Sequence, residues 1–125
     1  MIAGIGIDMV QVHRMERWMK KPGLLSRYFH PDELSSSLAK EGGAAMSLAA
    51  RFAAKEAFGK ALGTGFAGII LKDIAVRNRP NGRPEIHVYG TALAALNKSG
   101  TACIHISLSH EKDYAIAMVV LESKP

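Results

Sequence analysis

Residues 51–65, RFAAKEAFGKALGTG, form the stretch around which the rest of this chain is organised. On a helical projection with about 100° per residue, a continuous arc of apolar side chains predicts a core-facing helix. This apolar arc consists of Ala53, Ala54, Ala57, Phe58, Ala61 and Leu62. The opposite arc is expected to be open and holds Phe52, Lys55, Glu56, Gly59, Lys60 and Gly63. Because glycine inside a helix costs roughly 0.5–1 kcal/mol relative to alanine, two glycines on one arc indicate that another group approaches the backbone closely.

Two interpretations of the open arc remain possible from this stretch alone. In the first, Glu56 and Lys60 form an ordinary surface pair at i,i+4 spacing, which stabilises a helix by only about 0.3–0.5 kcal/mol. In the second, the charged side chains and glycines together form a binding site.

The composition predicts one globular domain spanning residues 1–125. The hydrophobic fraction is 48% and the charged fraction is 22%, both close to globular averages.

The single cysteine, Cys103, excludes an internal disulfide and fits a reducing cytoplasm. It is expected to be a small buried residue in a strand. The first ten residues, MIAGIGIDMV, have no basic leader, so we expect a strand there and not a signal peptide. No apolar run has the roughly 20 residues that a membrane span requires, so no membrane association is expected.

The charge balance favours a polyanionic partner. Sixteen Lys and Arg against eleven Asp and Glu give a formal net charge of +5. Nucleic acid, a phosphorylated small molecule and an acidic protein all fit this charge. Nucleic-acid readers usually interleave aromatic and basic residues for base stacking. Aromatic residues make up only 6% of this chain and do not follow that pattern, which disfavours nucleic acid.

The N-terminal strand, predicted over residues 2–12 and expected to be buried, contains a carboxylate that requires a partner. Period-two alternation places Asp8 on the same face as Gly4 and Gly6, with Ile5, Ile7 and Met9 on the other face. An unpaired buried carboxylate costs several kcal/mol, so a helix cap, a salt bridge or a cation must satisfy Asp8. The two glycines leave room beside it for another backbone or for a ligand.

The next segment, residues 13–21, is predicted to be a basic helix. Arg14, Arg17 and Lys21 form one stripe, with Met15 and Trp18 beside it. This composition is typical of a docking face for an acidic partner. The alternative is that Trp18 belongs to the core and the basic residues only solvate the helix.

The remaining pattern predicts an α+β fold with a mainly antiparallel sheet packed against one long helix and several short ones. The long helix covers residues 44–62 and ends in Gly63-Thr64-Gly65. The turn signal Asn81-Gly82 joins two strands of a hairpin. The other predicted elements are short helices at 24–30, 31–40 and 91–98, hairpin strands at 69–79 and 84–89, and a second antiparallel pair at 102–109 and 114–121.

Asp8 and Glu56 are the two residues whose chemistry points to phosphoryl transfer. Mg²⁺ in proteins typically takes one or two carboxylates together with substrate phosphates and waters, and Lys55 and Lys60 would contribute point charges against those phosphates. Such a site holds a metal, neutralises developing charge and aligns the nucleophile. No zinc-type Cys/His cluster and no GxxxxGK[ST] or GxGxxG loop is present.

His110 follows a predicted strand in the stretch ISLSHEKDYA. The hydroxyls of Ser107 and Ser109 are expected to point the same way as each other, because side chains alternate with period two along a strand, unless the turn intervenes. His110 then either contacts an anion or is an ordinary turn histidine.

Four blocks in order resemble the holo-acyl-carrier-protein synthase family, the small bacterial type of 4′-phosphopantetheinyl transferase. The blocks are GIDMV, RFAAKEAFGKALGTG, NGRPEI and ISLSHEKDYAIAMV. A GxD or a KEAxxK pattern alone is a weak signal, but the four blocks together are highly specific and cover nearly the whole chain. The resemblance implies a magnesium-dependent transfer of 4′-phosphopantetheine from coenzyme A to a serine of apo-acyl carrier protein in fatty acid biosynthesis, with release of adenosine 3′,5′-bisphosphate.

The resemblance also implies roles for individual residues. Asp8 and Glu56 are similar to the family's Mg²⁺ ligands, with Glu56, directly or through a bound water, as the base for the serine hydroxyl. Lys60 resembles the residue that stabilises charge on the pyrophosphate, and Gly59 and Gly63 would keep the helix face clear for it. The positions that resemble the lining of the coenzyme A site are Arg51, Lys55, Lys60, Gly63, Pro84, Ser109 and His110.

The partners implied by the resemblance are apo-acyl carrier protein, docked on Arg14, Met15, Arg17, Trp18 and Lys21, and further copies of the chain. The family resembles a homotrimer with sites between neighbouring subunits, so Pro84 and His110 would serve a site whose helix belongs to another copy. A non-catalytic module that binds RNA through its basic residues is the alternative from another class, and it would show steeply salt-dependent affinity without needing Asp8 or Glu56.

Overall fold

A computed structural model describes all residues from Met1 to Pro125 and shows the predicted α+β fold. The long helix has the bounds that the sequence predicts, and most other elements begin or end within a few residues of their predicted bounds. The strand predicted at 69–79 is shorter, because it begins only at Ile74 after a 3₁₀ turn. The strands are β1 (Ile2–Gln11), β2 (Ile74–Asn78), β3 (Pro84–Val88), β4 (Thr101–His110) and β5 (Tyr114–Ser123). The helices are α1 (Val12–Met19), α2 (Leu25–Tyr28), α3 (Pro31–Leu38), α4 (Ala44–Leu62) and α5 (Gly90–Lys98), with a 3₁₀ turn at Leu71–Asp73 before β2. None of the five helices has the length and hydrophobicity of a membrane-crossing segment.

The main sheet has three antiparallel strands in the order β1-β5-β4. Its central strand, β5, alternates strictly, with Ala115, Ala117, Val119 and Leu121 buried on one face. Helix α4 packs across this buried face and contacts β1 and β5 along its length. The domain core therefore lies between α4 and one side of the main sheet.

Helix α4 crosses β1 at a distance that only glycine permits on the strand. A Cβ atom built on Gly6 would lie 2.0 Å from the Ala57 carbonyl oxygen, and one built on Gly4 would lie 2.0 Å from the Ala61 carbonyl oxygen. These separations are far inside van der Waals contact. The space predicted beside Asp8 is thus filled by another backbone, which is the first of the two possibilities that the glycines left open.

The hairpin β2–β3 is a separate two-stranded sheet with no strand pairing to the main sheet. Its turn follows the Asn81-Gly82 signal, with a hydrogen bond from Gly82 N to Arg79 O of 2.8 Å. The hairpin contacts α3, α4 and β4, and side chains of α3 and α4 form hydrogen bonds with the main chain of β2. Its position against the domain therefore depends on those side chains.

Two expectations about burial are wrong. Strand β1 is buried on one face only, because Ile5, Ile7 and Met9 lie on the face of the main sheet that no helix covers; Ile5 is 68% exposed. Cys103 lies in a strand, as predicted, but its side chain is exposed. An apolar neighbourhood in sequence does not show which face of a sheet a helix covers, and that is the cause of both errors.

Candidate active site

Helix α4 is buried around most of its circumference, so the predicted division into an apolar arc and an open arc holds only in part. The apolar arc is buried as expected. On the opposite arc, however, Phe52 and Gly59 are also buried, and the Lys55 side chain has 0% exposure. Helices α1 and α3 and the hairpin cover Phe52 and Lys55, whereas the chain that folds back after α4 covers Gly59. Of the three charged residues on this arc, Glu56 is half-buried and Lys60 is exposed.

Asp8, Glu56 and Lys60 come together where β1 passes α4. The Lys60 ammonium donates to Asp8 Oδ1 at 2.9 Å and to the Ile7 carbonyl oxygen at 3.0 Å. Asp8 is held from the strand side, since its backbone pairs with Ala117 in the main sheet. The Gly6 contact with α4 lies two residues before Asp8, and the main chain therefore fixes the approach of the two carboxylate-bearing elements.

The electrostatics of this group favour a bound cation. Partial burial raises the pKa of Glu56 above its ordinary value, and the neighbouring Asp8 carboxylate raises it further, while Arg14 and Lys60 oppose the shift. Asp8 in turn raises the pKa of Lys60, which keeps the ammonium charged. Two carboxylates therefore share a small space, and a further positive charge beside them would lower the cost of ionising Glu56.

The Asp8 and Glu56 carboxylates are suited to a Mg²⁺ ion that takes its other ligands from substrate oxygens and water. No group of three or more His, Cys, Asp and Glu side chains suitable for a metal occurs in the chain, so Asp8 and Glu56 act as a pair. Mg²⁺ commonly binds through one or two carboxylates and completes its octahedron with phosphate oxygens and water. The pair is consistent with that arrangement and does not resemble a closed structural metal site.

The structure explains why glycine occurs at positions 59 and 63, and the reasons differ from the predicted one. A Cβ on Gly59 would lie 2.8 Å from the Gly65 carbonyl oxygen, so Gly59 admits the chain that folds back after α4. Gly63 has a φ of +82° and ends the helix in the left-handed conformation that glycine favours. The prediction that both residues keep the helix face clear for a pyrophosphate is therefore not needed to explain them.

A cleft of about 310 Å³ brings Arg51 and His110 together. It lies between the start of α4, the hairpin strand β2 and the end of β4, with Lys40 and Asn78 on its walls. Arg51 is 5% exposed. A guanidinium, a lysine and a histidine around one cleft provide positive charge and hydrogen-bond donors suited to an anion.

Pro84 and Ser109 lie outside this cleft. Pro84 lines a smaller cleft of about 170 Å³ with residues of the hairpin and of β4, including Arg83 and His105. Ser109 pairs with Ile116 and lies on the face of β4 opposite to His110, because side chains alternate along a strand. The expectation that Ser107 and Ser109 point the same way is confirmed, since both lie on one face of β4.

Four of the predicted docking residues lie on helix α1 and Lys21 follows it, and the five differ in exposure. Met15 has 0% exposure and belongs to the core, so its predicted place on a docking face is wrong. Trp18 is half-buried against Phe52, with ring centroids 5.1 Å apart, and the Arg14 guanidinium stacks over both rings. Arg17 and Lys21 are exposed. The exposed part of the basic stripe therefore remains open to a partner.

Glu33 is a charged residue whose role the sequence did not indicate. It is 1% exposed, and its Oε1 accepts from the Lys55 ammonium at 2.6 Å. Burial lowers the pKa of Lys55, and the Glu33 carboxylate opposes that shift. A glutamate at the third position of a helix after Pro31 is a common start signal that predicts a solvent-facing capping box. The capping box is present, since the His30 amide donates to Glu33 Oε1 at 3.0 Å, but it is buried.

Comparison with known proteins shows to which family this chain belongs. A family model for the 4′-phosphopantetheinyl transferase superfamily matches residues 4–119. A holo-[acyl-carrier-protein] synthase of Treponema denticola is 59% identical over 98% of this chain and 99% of its own length. The crystal structure of a holo-[acyl-carrier-protein] synthase from Neisseria meningitidis superposes with a TM-score of 0.86 at 39% identity, covering 98% of this chain and 100% of that one.

A third relative was solved with a ligand. The holo-(acyl-carrier-protein) synthase of Bacillus anthracis, described as in complex with CoA (3′,5′-ADP), superposes with a TM-score of 0.82 at 36% identity and covers 99% of both chains. The chain thus belongs to the 4′-phosphopantetheinyl transferase superfamily and is an enzyme of the transferase class. Within that superfamily the resemblance to holo-acyl-carrier-protein synthases is confirmed.

Proposed function

We propose that this protein transfers 4′-phosphopantetheine from coenzyme A to a serine of apo-acyl carrier protein in a magnesium-dependent step of fatty acid biosynthesis. The adjacent Asp8 and Glu56 carboxylates with the Lys60 ammonium beside them carry the proposal. The ligand described in the Bacillus anthracis relative supports coenzyme A as cosubstrate. The exposed thiol of Cys103 fits a reducing cytoplasm as the compartment.

The reaction assigns one task to each residue of the group. The serine hydroxyl oxygen attacks the phosphorus that carries the pantetheine arm, and the bond from this phosphorus to the bridging pyrophosphate oxygen breaks. Adenosine 3′,5′-bisphosphate leaves with the bonding electrons. Glu56 accepts the serine proton, for which its raised pKa is suited. Lys60 lies beside the oxygens on which negative charge develops, and Asp8 holds the ammonium there at 2.9 Å.

Asp8 and Glu56 are also the residues that would hold Mg²⁺. When bound, Mg²⁺ supplies charge neutralisation and orients the pyrophosphate oxygens of coenzyme A. The chain's own contribution is a pair of carboxylates on two elements whose separation the Gly6–Ala57 contact fixes. This arrangement presents the ligands before substrate arrives, which limits the reorganisation needed during the reaction.

The anionic end of coenzyme A is assigned to the clefts near Arg51, Pro84 and His110. Within one chain the Arg51–His110 cleft and the Pro84 cleft share no residue. Such a distribution is what a site shared between subunits predicts, with one copy supplying the metal ligands and its neighbour supplying part of the nucleotide contacts. Lys55 is not retained as a direct contact, because its ammonium is fully buried.

The uncovered face of the main sheet is the proposed interface of a homotrimer. It exposes a continuous apolar surface across β1 and β5, which a monomer rarely leaves in water. The residues of this surface are Ile5, Ile7, Met9, Ile116 and Met118. A second and third copy packed on this face would bury them and bring neighbouring sites together.

Replacing Ile7 with Asp is expected to break the trimer. Ile7 is 57% exposed in the isolated chain, so the substitution leaves the monomer core intact but buries a charge in the proposed interface, at a cost of several kcal/mol. Sedimentation velocity is expected to show a trimer for the wild type and a monomer for Ile7→Asp, with transfer activity lost in the monomer. Leu93→Asp, on exposed α5, is the control and is expected to remain trimeric. A monomeric wild type would contradict the proposal.

Two exposed basic residues, Arg17 on α1 and Lys21 just after it, form the proposed docking surface for the acidic carrier protein. Arg17 and Lys21 project into solvent next to the half-buried Arg14 and Trp18. Glutamate at both Arg17 and Lys21 is expected to raise the KM for the carrier by on the order of tenfold or more, because like charges then face each other across the encounter surface. Glutamate at Lys98 and Lys124 changes the net charge equally and is the control. Equal effects of the two double variants would contradict a localised docking surface.

Mass spectrometry of the carrier tests the proposed function directly. The protein is incubated with apo-acyl carrier protein, coenzyme A and Mg²⁺, and the carrier is expected to gain the mass of phosphopantetheine. A carrier that stays unmodified while an authentic synthase modifies it in parallel would overturn the proposal. Omission of Mg²⁺ in a third sample tests the metal requirement.

The RNA-binding alternative receives no support from the arrangement of the aromatic side chains. Trp18, Tyr28 and Phe52 pack on one another, with Trp18–Tyr28 ring centroids 5.0 Å apart. Single-stranded nucleic acid is usually held by exposed aromatic faces on which bases stack. The basic residues near this cluster are therefore assigned to the carrier protein.

A further inference from the structure

The outward edge of β2 is covered by side chains where a larger sheet would have a neighbouring strand. On its inner edge β2 pairs with β3. On its outer edge the Val76 amide donates to Glu33 Oε2 at 3.0 Å, and the Val76 carbonyl oxygen accepts from Arg51 Nε at 3.3 Å. The Ile74 carbonyl oxygen accepts from the Lys55 ammonium. Three buried main-chain groups of the strand are thus satisfied by charged side chains.

Glu33 is the residue that makes this arrangement electrostatically possible. The cluster has two buried cations, Arg51 and Lys55, and Glu33 is the only carboxylate bonded to either of them. A buried ammonium without a partner is strongly unfavourable. Glu33 also accepts from the His30 amide at 3.0 Å, which ties the start of α3 to the same point. One carboxylate therefore joins α3, α4 and β2.

This cluster links the hairpin to the catalytic helix through hydrogen bonds of buried side chains. The hairpin shares no strand pairing with the main sheet, and it contributes Pro84 to one cleft and Val76 and Asn78 to the other. Lys55 directly precedes Glu56 on α4, so the same helical turn holds both the hairpin and the metal site. A loss of the link would displace the nucleotide clefts while leaving Asp8 and Glu56 in place.

We propose that Glu33 is a positioning residue for coenzyme A binding, which acts by fixing the β2–β3 hairpin against α4 through Lys55 and Val76. The proposal rests on the proposed function for the assignment of the clefts to coenzyme A. Glu33 touches neither substrate nor metal in this scheme. Its effect is expected in the affinity for coenzyme A and not in the chemical step.

Glu33→Gln is the first test. The amide cannot accept from both the Lys55 ammonium and the Val76 amide without turning its own NH₂ towards a donor. We expect the dissociation constant for coenzyme A, measured by calorimetry in the presence of Mg²⁺, to rise by about tenfold or more, with kcat changed by less than about threefold. Hydrogen exchange of the Val76 amide, followed by NMR, is expected to accelerate by at least about tenfold, because its acceptor is lost.

Asp32→Asn is the matched control. Asp32 belongs to the same helix as Glu33 and pairs with Arg77 of the same strand at 2.8 Å, but that pair is exposed. Exposed pairs contribute little to position or stability. Coenzyme A affinity and Val76 exchange are therefore expected to stay at wild-type values in Asp32→Asn.

The double variant Glu33→Met/Lys55→Met separates positioning from stability. It removes one negative and one positive charge, so the net charge of the cluster is unchanged, and apolar replacement of a buried ion pair commonly preserves stability. Its melting temperature is expected to recover relative to Glu33→Gln, while coenzyme A affinity stays low and Val76 exchange stays fast. Recovery of affinity together with stability would show that Glu33 is merely structural and would overturn the proposal.

The outcomes also separate this proposal from the proposed function. A wild-type protein that binds coenzyme A but modifies no carrier would contradict the transferase assignment without affecting the positioning test. Unchanged Val76 exchange or unchanged coenzyme A affinity in Glu33→Gln would overturn the positioning role even in a fully active enzyme.

Discussion

Replacing Glu56 with Gln is expected to lower kcat/KM for carrier modification by at least about 10³-fold, because one substitution removes a base and a metal ligand. Glutamine has nearly the same shape, and Glu56 is only half-buried, so the fold is expected to persist. Circular dichroism and thermal unfolding check the fold, and mass spectrometry of the carrier under initial-rate conditions measures the activity. Calorimetry with Mg²⁺ or Mn²⁺ is expected to show weaker metal binding.

Glu122→Gln is the control for this experiment. Glu122 is exposed and pairs with His105 at 2.9 Å near the end of β5 that lies farthest from Asp8 in strand register. Its neutralisation changes the net charge by the same amount and is expected to leave kcat/KM within about twofold. Equal loss of activity in both variants, or retention of activity in Glu56→Gln, would argue against Glu56 as base and ligand.

The pH dependence of metal binding follows from the same residue. Because the pKa of Glu56 is raised above its ordinary value of 4.5, protons compete with the metal at a higher pH than for an ordinary carboxyl group. Metal affinity is therefore expected to fall as pH falls through this raised pKa, and Glu56→Gln should remove that part of the dependence. The folding stability of the metal-free protein changes with pH in the opposite direction. Glu56 contributes stability at pH values below its pKa in the unfolded chain, and this contribution is lost as the pH rises through its pKa in the folded protein. Added metal should restore the melting temperature on the high-pH side.

Gly6→Ala is expected to have the largest effect on folding. A methyl group at this position would lie 2.0 Å from the Ala57 carbonyl oxygen, so β1 and α4 must separate. We expect destabilisation of at least about 3 kcal/mol, at the upper end of what overpacking causes. This corresponds to a fall in melting temperature on the order of 10 °C. Since Asp8 follows two residues later, transfer activity is expected to fall in whatever fraction remains folded.

Gly43→Ala provides the matched comparison for the glycine substitution. Gly43 precedes α4 with a φ of −119°, and a Cβ there would meet only the Lys40 side chain at 3.7 Å. The same change in covalent structure is therefore expected to alter stability by less than about 1 kcal/mol. Urea unfolding of both variants gives the comparison. A Gly6→Ala protein as stable as Gly43→Ala would mean that the close crossing of β1 and α4 is not present in solution.

The features that could be predicted from the sequence are those set by local periodicity and by residue type. The bounds of α4 follow from its apolar repeat and its glycine terminus. The two glycines on the face of Asp8 predict a close neighbour, which could be a backbone or a ligand, and the structure identifies this neighbour as α4. Glu56 and Lys60 stood out because charged side chains were separated by glycine on one arc. The resemblance to the transferase family added the chemistry that these patterns alone left open.

The features that could not be predicted depend on which elements pack around α4. Lys55 and Phe52 lie on the arc opposite the main sheet, and periodicity alone assigns that arc to solvent. Helices α1 and α3 and the hairpin cover it, and only their tertiary placement shows this. Glu33 was missed for the same reason: a glutamate in a first helical turn is normally exposed. Met15 shows the converse error, since its place within a basic stripe predicts surface exposure although it belongs to the core.

The close packing of β1 on α4 also limits which amino-acid substitutions this protein can accept during evolution. The atoms that fill the space beside Gly4 and Gly6 are main-chain carbonyl oxygens of Ala61 and Ala57. Every residue type has such an oxygen, so no replacement at the facing helix positions can make room for a side chain on the strand. A second-site suppressor of a larger residue at position 4 or 6 would have to move the whole helix, and with it Glu56. Substitutions at these two glycines therefore cannot be compensated by a change at a facing residue, so we expect both positions to remain glycine.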